Sequence, residues 1–336
     1  MSSMQHTDVL IIGAGPSGSS AAALLRQKGY QVTIIEKQYF PRFSIGESLL
    51  PQSMVFLEEA GLLDTVREHV GEFAFQFKNG AAFLRGKQRS FYDFTQKFSE
   101  GPGTTWQVRR ANFDHLLAQQ AEKQGAEIRF GHEVIDVDVT PEHPVLSVKD
   151  EQQNVYQIQA KFLLDASGFG RILPKFLDLE SPSNFPVRRA VFTHIEDGIL
   201  DDPDFDREKI LITVHAKDHR AWYWLIPFAD GRSSFGVVAE QDFFAQYGFD
   251  GSADDVEALL KRILADDESL SQVLRNAKFD TPVRTLVGYS ANVKHLADRN
   301  YALLGNAGEF LDPVFSSGVT IALKSSSLAI PLVDQV

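Results

Sequence analysis

Val9-Leu10-Ile11-Ile12-Gly13-Ala14-Gly15-Pro16-Ser17-Gly18 joins a short apolar run, mostly β-branched, to a GxGxxG turn. A run of this kind reads as a buried parallel strand. Ser19 to Gly29, rich in alanine and leucine, reads as a helix that ends at Gly29. Val32-Thr33-Ile34-Ile35 is the next strand and finishes at Glu36. Together they make a βαβ unit. In such a unit Gly13 permits the tight turn, Gly15 lets the backbone approach a pyrophosphate, and Gly18 allows close packing of helix on strand. The helix N-terminus offers unpaired N–H groups and the positive end of a dipole to phosphates. Glu36, 18 residues beyond Gly18, is placed to accept hydrogen bonds from a ribose diol. A tight turn without a ligand is the plainer alternative. The full βαβ context favours dinucleotide binding, with NAD, NADP and FAD all open at this point.

Outward from this unit, 336 residues are enough for two domains and a large core. The absence of cysteine excludes a disulfide framework, a thiolate nucleophile, a zinc ribbon and an iron–sulfur cluster. It also excludes a flavin enzyme that works through a redox cysteine pair. With 45 acidic and 33 basic residues the formal charge is −12, which argues against nucleic acid or an anionic membrane as the main partner. No basic stretch followed by a cleavable apolar run opens the chain, and nothing approaches the ~18–20 apolar residues of a membrane span. A cytoplasmic protein is expected.

Gln52 to Ala60, Asn112 to Lys123 and Asp254 to Leu264 read as helices, the last with an acidic first turn that suits its dipole. Phe73 to Phe83 and Arg89 to Phe94 read as strands of a second, more aromatic sheet. Glu127 to Phe130 is a strand, and His132 to Val139 and Val145 to Val148 alternate as an antiparallel pair does. Phe162-Leu163-Leu164 and Tyr301 to Leu304 return to the buried-strand type, whereas Arg188 to Val238 has the pattern of long antiparallel strands. The expected fold is α/β. A nucleotide-binding domain at 1-72, 101-180 and 283-336 interleaves with an antiparallel β-sheet substrate domain at 73-100 and 181-282.

Three later segments favour FAD. Phe162 to Gly168 is a second strand-to-glycine turn, and Leu303-Leu304-Gly305-Asn306-Ala307 is a third. The third is followed by Leu311-Asp312-Pro313 and a helix start at Ser317-Gly318-Val319. Between the first and second turns, Gln107-Val108-Arg109-Arg110-Ala111-Asn112-Phe113-Asp114 opens a helix with a cationic flank. This set resembles the FAD-dependent aromatic hydroxylases, a monooxygenase-type superfamily that includes the geranylgeranyl reductases and has a glutathione-reductase-type, Rossmann-like fold. In that family the third turn usually reads Gly-Asp, the aspartate binding the ribityl chain; here Asn306 stands there. The resemblance implies a cofactor site formed by Gly13, Gly15, Ser17, Gly18, Glu36, Lys37, Arg42, Ser48, Arg110, Val134, Gly305, Asn306, Gly318 and Val319.

Trp222-Tyr223-Trp224-Leu225-Ile226-Pro227 narrows the resemblance. It is similar to the WxWxIP pattern of the flavin-dependent halogenases. On a strand Trp222 and Trp224 share one face and make an indole wall; ordinary core packing is the plainer reading of the spacing alone. Pro41 to Pro51 resembles the GES segment beside the flavin, and Phe77-Lys78-Asn79-Gly80-Ala81-Ala82-Phe83 resembles the FKxGAxF segment that carries the active-site lysine. Asp312 to Val319 resembles the loop that holds flavin and, through backbone N–H groups at Ser317 and Gly318, halide. The resemblance spans about residues 8 to 325. Its relatives usually continue into a C-terminal region that helps close the active site, and this sequence ends at Val336.

The resemblance implies a halogenase that makes hypohalous acid from reduced FAD, oxygen and chloride or bromide. The alternative is a hydroxylase or a geranylgeranyl-reductase-type flavoprotein. Lys78 would guide the hypohalous acid to the substrate, and Trp222 and Trp224 would separate substrate from flavin. A lysine on a strand is more commonly a solvated residue with a snorkelling stem, but in an apolar tunnel burial lowers its pKa. Phe315 stands where free-tryptophan halogenases carry glutamate, which points to a phenolic, pyrrolic or carrier-tethered substrate. A separate reductase is implied, since no second GxGxxG serves a nicotinamide. Glu309 reads as a surface charge, and the nine histidines lack metal-ligand spacing, so no metal is expected.

Overall fold

The computed structural model describes residues 4–199, 205–249, 251 and 256–333. The first sheet has the parallel strands Tyr301–Leu303, Val155–Asp165, Gln5–Ile12, Val32–Glu36 and Glu127–Phe130 side by side in that order. Glu133–Asp138 and Val145–Lys149 form the expected antiparallel pair, joined to Val155–Asp165. Val32–Glu36 and the Val9–Ile12 end of the strand beside it are fully buried, which accounts for their largely β-branched composition.

Helix Pro16–Gln27 starts inside the GxGxxG turn, three residues earlier than the sequence reading placed it, because Pro16 is preset for the first helical position. Its small residues Gly18, Ala21, Ala22 and Ala23 are buried. It packs against Arg110–Lys123 on one side and the C-terminal helix Gly318–Val333 on the other.

The second sheet has seven strands in the order Arg284–Val287, Arg188–Glu196, Arg232–Glu240, Trp222–Pro227, Lys209–Val214, Gly80–Arg85 and Gln88–Asp93. All pairs are antiparallel except Lys209–Val214 with Gly80–Arg85. Those two strands are joined through the nucleotide-binding unit, a connection long enough for parallel pairing. One face packs Tyr223, Leu225, Phe235 and Val237 against the helices Gln241–Gln246, Val256–Ala265 and Glu268–Val273. The other packs Trp222, Trp224, Ile226 and Phe192 toward the first sheet's domain.

The expected strand Phe73 to Phe83 divides. Ala74 adopts a left-handed conformation (φ 53°) that breaks the extended chain, and Phe75 enters the nucleotide-domain core. Gln76–Lys78 then pairs with Thr105–Gln107 in a separate ribbon, and only Gly80–Arg85 joins the seven-stranded sheet. Asp254 and Asp255, part of the expected acidic first turn, lie outside the described residues. Among the described residues no helix is long and apolar enough to cross a membrane.

Candidate active site

A cavity of about 650 Å³ lies between the two sheets' domains and has two chemically distinct halves. In the polar half, Gly13 has φ +95°, and a Cβ there would stand 2.7 Å from the Ala166 carbonyl oxygen. A Cβ on Gly18 would fall 1.9 Å from the Gly13 carbonyl oxygen. These two glycines are needed for the turn itself. Gly15 differs: a Cβ would meet only the Arg42 guanidinium at 3.6 Å, so its missing side chain leaves room for a ligand. Gly15 caps a helix whose first-turn N–H groups have no intrahelical acceptor. Glu36 accepts from the Ala14 N–H at 2.9 Å with one oxygen and from the Gln38 N–H at 2.8 Å with the other. Its remaining lone pairs are available to a ribose.

Of the cofactor residues expected from sequence, Gly13, Gly15, Ser17, Glu36, Lys37, Arg42, Ser48, Arg110, Val134, Asn306, Gly318 and Val319 line this cavity. Gly18 and Gly305 do not; each is occupied in close packing, Gly305 against Ala322. Lys37 is held by Glu133 at 2.6 Å. Gly318 opens a 16-residue helix, so a second helix N-terminus faces the cavity. Ser317 lies between lining residues Ser316 and Gly318 without lining the cavity itself. An open glycine turn, two helix N-termini, a carboxylate and two arginines fit an FAD.

Sequence reasoning missed what anchors those arginines. Asp114, fully buried, accepts from Arg110 Nε at 2.7 Å, Arg110 Nη2 at 2.9 Å and Arg42 Nη1 at 2.9 Å. The spacing of Arg110 and Asp114, four apart on one helix, was the available signal.

The apolar half is walled by Trp222, Trp224, Ile210, Ile212, Ile226 and Val238. The indoles meet at 6.1 Å between centroids and 50° between planes. Trp224 Nε1 donates to Ser234 Oγ at 3.0 Å, which fixes its ring. Gly236, opposite Trp224 on the neighbouring strand, makes room for it: a Cβ there would lie 2.4 Å from Trp224 Cζ2 and 2.7 Å from Phe192 Cβ. Gly236→Ala is therefore expected to lower stability by about 1–3 kcal/mol through overpacking, read by urea denaturation. An unchanged midpoint would mean that the indole moves aside freely.

Lys78 is completely buried and does not line the cavity. Its Nζ donates to Ser48 Oγ and to the Leu49 carbonyl, each at 2.7 Å, and sits 5.2 Å from the Phe94 ring centre. Ser48 does line the cavity, so the amine reaches it through one hydroxyl. Burial pulls the Lys78 amine down from 10.5 to about 7, because the charged form has lost its water. Next to Ser48, Glu47 is buried and lines the cavity; its Oε1 is 2.7 Å from His194 Nε2. Nothing local announces that pair, whose members are 147 residues apart. Phe315 and Glu309 are exposed, and neither lines the cavity. Among the described residues, no group of three or more histidines or acids could hold a metal ion.

Residues 6–294 match the family model described as FAD binding domain. A solved flavoprotein/dehydrogenase from Cytophaga hutchinsonii is 39% identical with a TM-score of 0.88, covering 98% of this chain and 79% of that one. The solved myxobacterial chondrochloren halogenase, described as a variant of the FAD-dependent halogenases, is 30% identical with a TM-score of 0.84, covering 98% and 75%. Tryptophan 2-halogenase of Chondromyces crocatus is 31% identical over 96% of this chain and 60% of its own length. The chain spans between 60% and 64% of the curated relatives matched first.

Proposed function

Since the chain belongs to the FAD-binding-domain family and, within it, to the proteins resembling flavin-dependent halogenases, we propose that it halogenates an electron-rich aromatic substrate, free or carrier-tethered. The observation that carries the reading is the buried Lys78 amine, joined to the cavity wall by its hydrogen bond to Ser48. Gly15, Ser17 and Glu36 hold the dinucleotide, with Arg42 and Arg110 beside the phosphates. Asn306, Gly318 and Val319 hold the flavin end. Reduced FAD, delivered by a separate reductase, supplies the oxygen activation that turns chloride or bromide into hypohalous acid.

Backbone N–H groups at Ser317 and Gly318 hold the halide at the positive end of the last helix. Trp222 and Trp224 keep the substrate ring away from the flavin and exclude water. Ser48 Oγ, which accepts from Lys78, places its own O–H toward the cavity and so orients the hypohalous acid. With a pKa of about 7 the amine is half uncharged at neutral pH. Its lone pair can then take the halogen from hypohalous acid, with release of water, and give it up to the ring, the displaced ring proton returning to the nitrogen to restore the amine.

Lys78→Ala is expected to lower halogenated product by at least about a hundredfold while FAD binding persists, measured by mass spectrometry with chloride or bromide and a flavin reductase. A second reading, a flavoprotein reductase or hydroxylase, is favoured by the likeness to the Cytophaga flavoprotein/dehydrogenase. It predicts the opposite result, with turnover largely kept in the variant and indifferent to halide.

A further inference from the structure

Lys78 reaches its partners by crossing a strand. In the ribbon of Gln76–Lys78 and Thr105–Gln107, Lys78 stands opposite Thr105, and Gln76 opposite Gln107. Residues 47–49 run along the other side of Thr105–Gln107. There Ser48 stands opposite Gln107, between two backbone bonds, Leu49 N–H to the Trp106 carbonyl and Val108 N–H to the Glu47 carbonyl. Opposite residues in an antiparallel pair share a face, as do residues two apart on one strand. Lys78, Thr105, Gln107 and Ser48 therefore stand on one face, with Lys78 and Ser48 on the outer strands. Since Lys78 Nζ donates to Ser48 Oγ, the lysine side chain runs over the middle strand, past Thr105 and Gln107.

Both of those side chains are buried and carry an oxygen without a hydrogen-bond partner, Thr105 Oγ1 and Gln107 Oε1. The Gln107 amide is anchored at its nitrogen, where Nε2 donates to the Arg207 carbonyl at 3.3 Å. A buried acceptor left unpaired is costly, so it stands where a donor arrives. An uncharged amine has two N–H groups, and Lys78 makes two bonds, to Ser48 Oγ and the Leu49 carbonyl. An ammonium has a third N–H. Among the described residues no carboxylate pairs with Lys78. Glu47 alternates with Ser48 onto the other face and is tied to His194, while the Arg207 guanidinium is held by Asp197. The Phe94 ring covers the amine from the remaining side.

We propose that Thr105 and Gln107 are positioning residues for Lys78: their free oxygens receive the third N–H of its ammonium, so that one cage houses the amine in both charge states. A hydroxyl can turn from accepting to donating, so Thr105 fits either state, whereas Gln107 Oε1 only accepts and favours the ammonium. Together they set how much of the amine is uncharged. The inference rests on the reading above only in making that uncharged form the one that takes the halogen.

The test is a pH titration of the FAD-loaded, oxidised protein carrying carbon-13 lysine, following the Cε resonance of Lys78 by NMR. Loss of the signal in Lys78→Met assigns it, and the wild-type midpoint should lie at about 7. Thr105→Val and Gln107→Leu each remove an acceptor of the charged form and should lower the midpoint, the double variant by about one to two pH units. Thr105→Ser keeps the hydroxyl and should stay within about 0.3 pH units of wild type. Gln107→Glu brings a carboxylate to the same place and should raise the midpoint by about one pH unit or more. The direction separates this role from a merely structural one, because a loosened fold admits water to the amine and raises its midpoint. An unmoved or raised midpoint in the double variant, or Thr105→Ser moving as far as Thr105→Val, would overturn the proposal. Should the double variant not fold, the two single variants decide by the same directions. Lowered midpoints in a protein without halide-dependent turnover would defeat only the halogenase reading. Halogenation by a protein whose midpoint ignores both substitutions would defeat only this one.

Discussion

Lys78→Met is expected to stabilise the protein at neutral and acidic pH by about 5 kcal/mol more than it does near pH 10.5. The folded pKa of about 7 lies below the ordinary 10.5, so folding must strip this amine of its proton. Between those two values the unfolded chain holds a proton that the folded chain lacks, and wild-type stability therefore rises with pH across the window. Below pH 7 both states are protonated, and the cost of a buried ammonium is constant and largest. The difference of about 3.5 pH units, at about 1.4 kcal/mol per unit, gives the magnitude.

Methionine has a similar length and nothing to titrate, so subtracting the two proteins' stabilities isolates this one group. By pH 10.5 only a pH-independent remainder is left, set by the exchange of the bonds to Ser48 and Leu49 for apolar contact. Urea denaturation of both proteins from pH 6 to 10 reads the curve. A flat difference would show that Lys78 titrates like a solvated lysine, and the case for its uncharged amine as a halogen carrier would fall with it.

Asp114→Asn is expected to lower stability by about 3–5 kcal/mol, since it leaves the buried Arg110 and the half-buried Arg42 without their countercharge. Three donors from Arg110 and Arg42 converge on this carboxylate. An asparagine can present only one oxygen and turns an NH₂ group toward one of the guanidiniums. Because Arg42 stands beside Gly15, its release also loosens the phosphate end of the cofactor site. FAD affinity should fall by about tenfold or more, read by flavin fluorescence on dilution. Unaltered affinity in a destabilised variant would mean that the arginines serve packing alone.

Much of the nucleotide unit was legible because its signals are local. A β-branched run, two obligatory glycines and a proline at the first helical position all lie within Val9 to Gly18. The indole wall was legible for a related reason, since strand alternation alone puts Trp222 and Trp224 on one face. What escaped depends on distant partners. The burial of Lys78 requires Gln76–Lys78 to leave the larger sheet for Thr105–Gln107, a choice that no local pattern encodes. Glu47 stood in a quoted segment, but its bond to His194 is a property of the folded chain.

The interleaving of the two sheets also governs how the chain must reach this fold. The parallel sheet waits for Tyr301–Leu303 to reach Val155–Asp165, and the larger sheet waits for Lys209–Val214 to find Gly80–Arg85. On a ribosome, the early strands emerge long before their partners and spend that interval with unsatisfied edges. Such distant pairing makes for slow folding and exposes intermediates to aggregation. No single cut yields two self-sufficient fragments, so the polar and apolar halves of the cavity arise together, late in folding and from the same cooperative event.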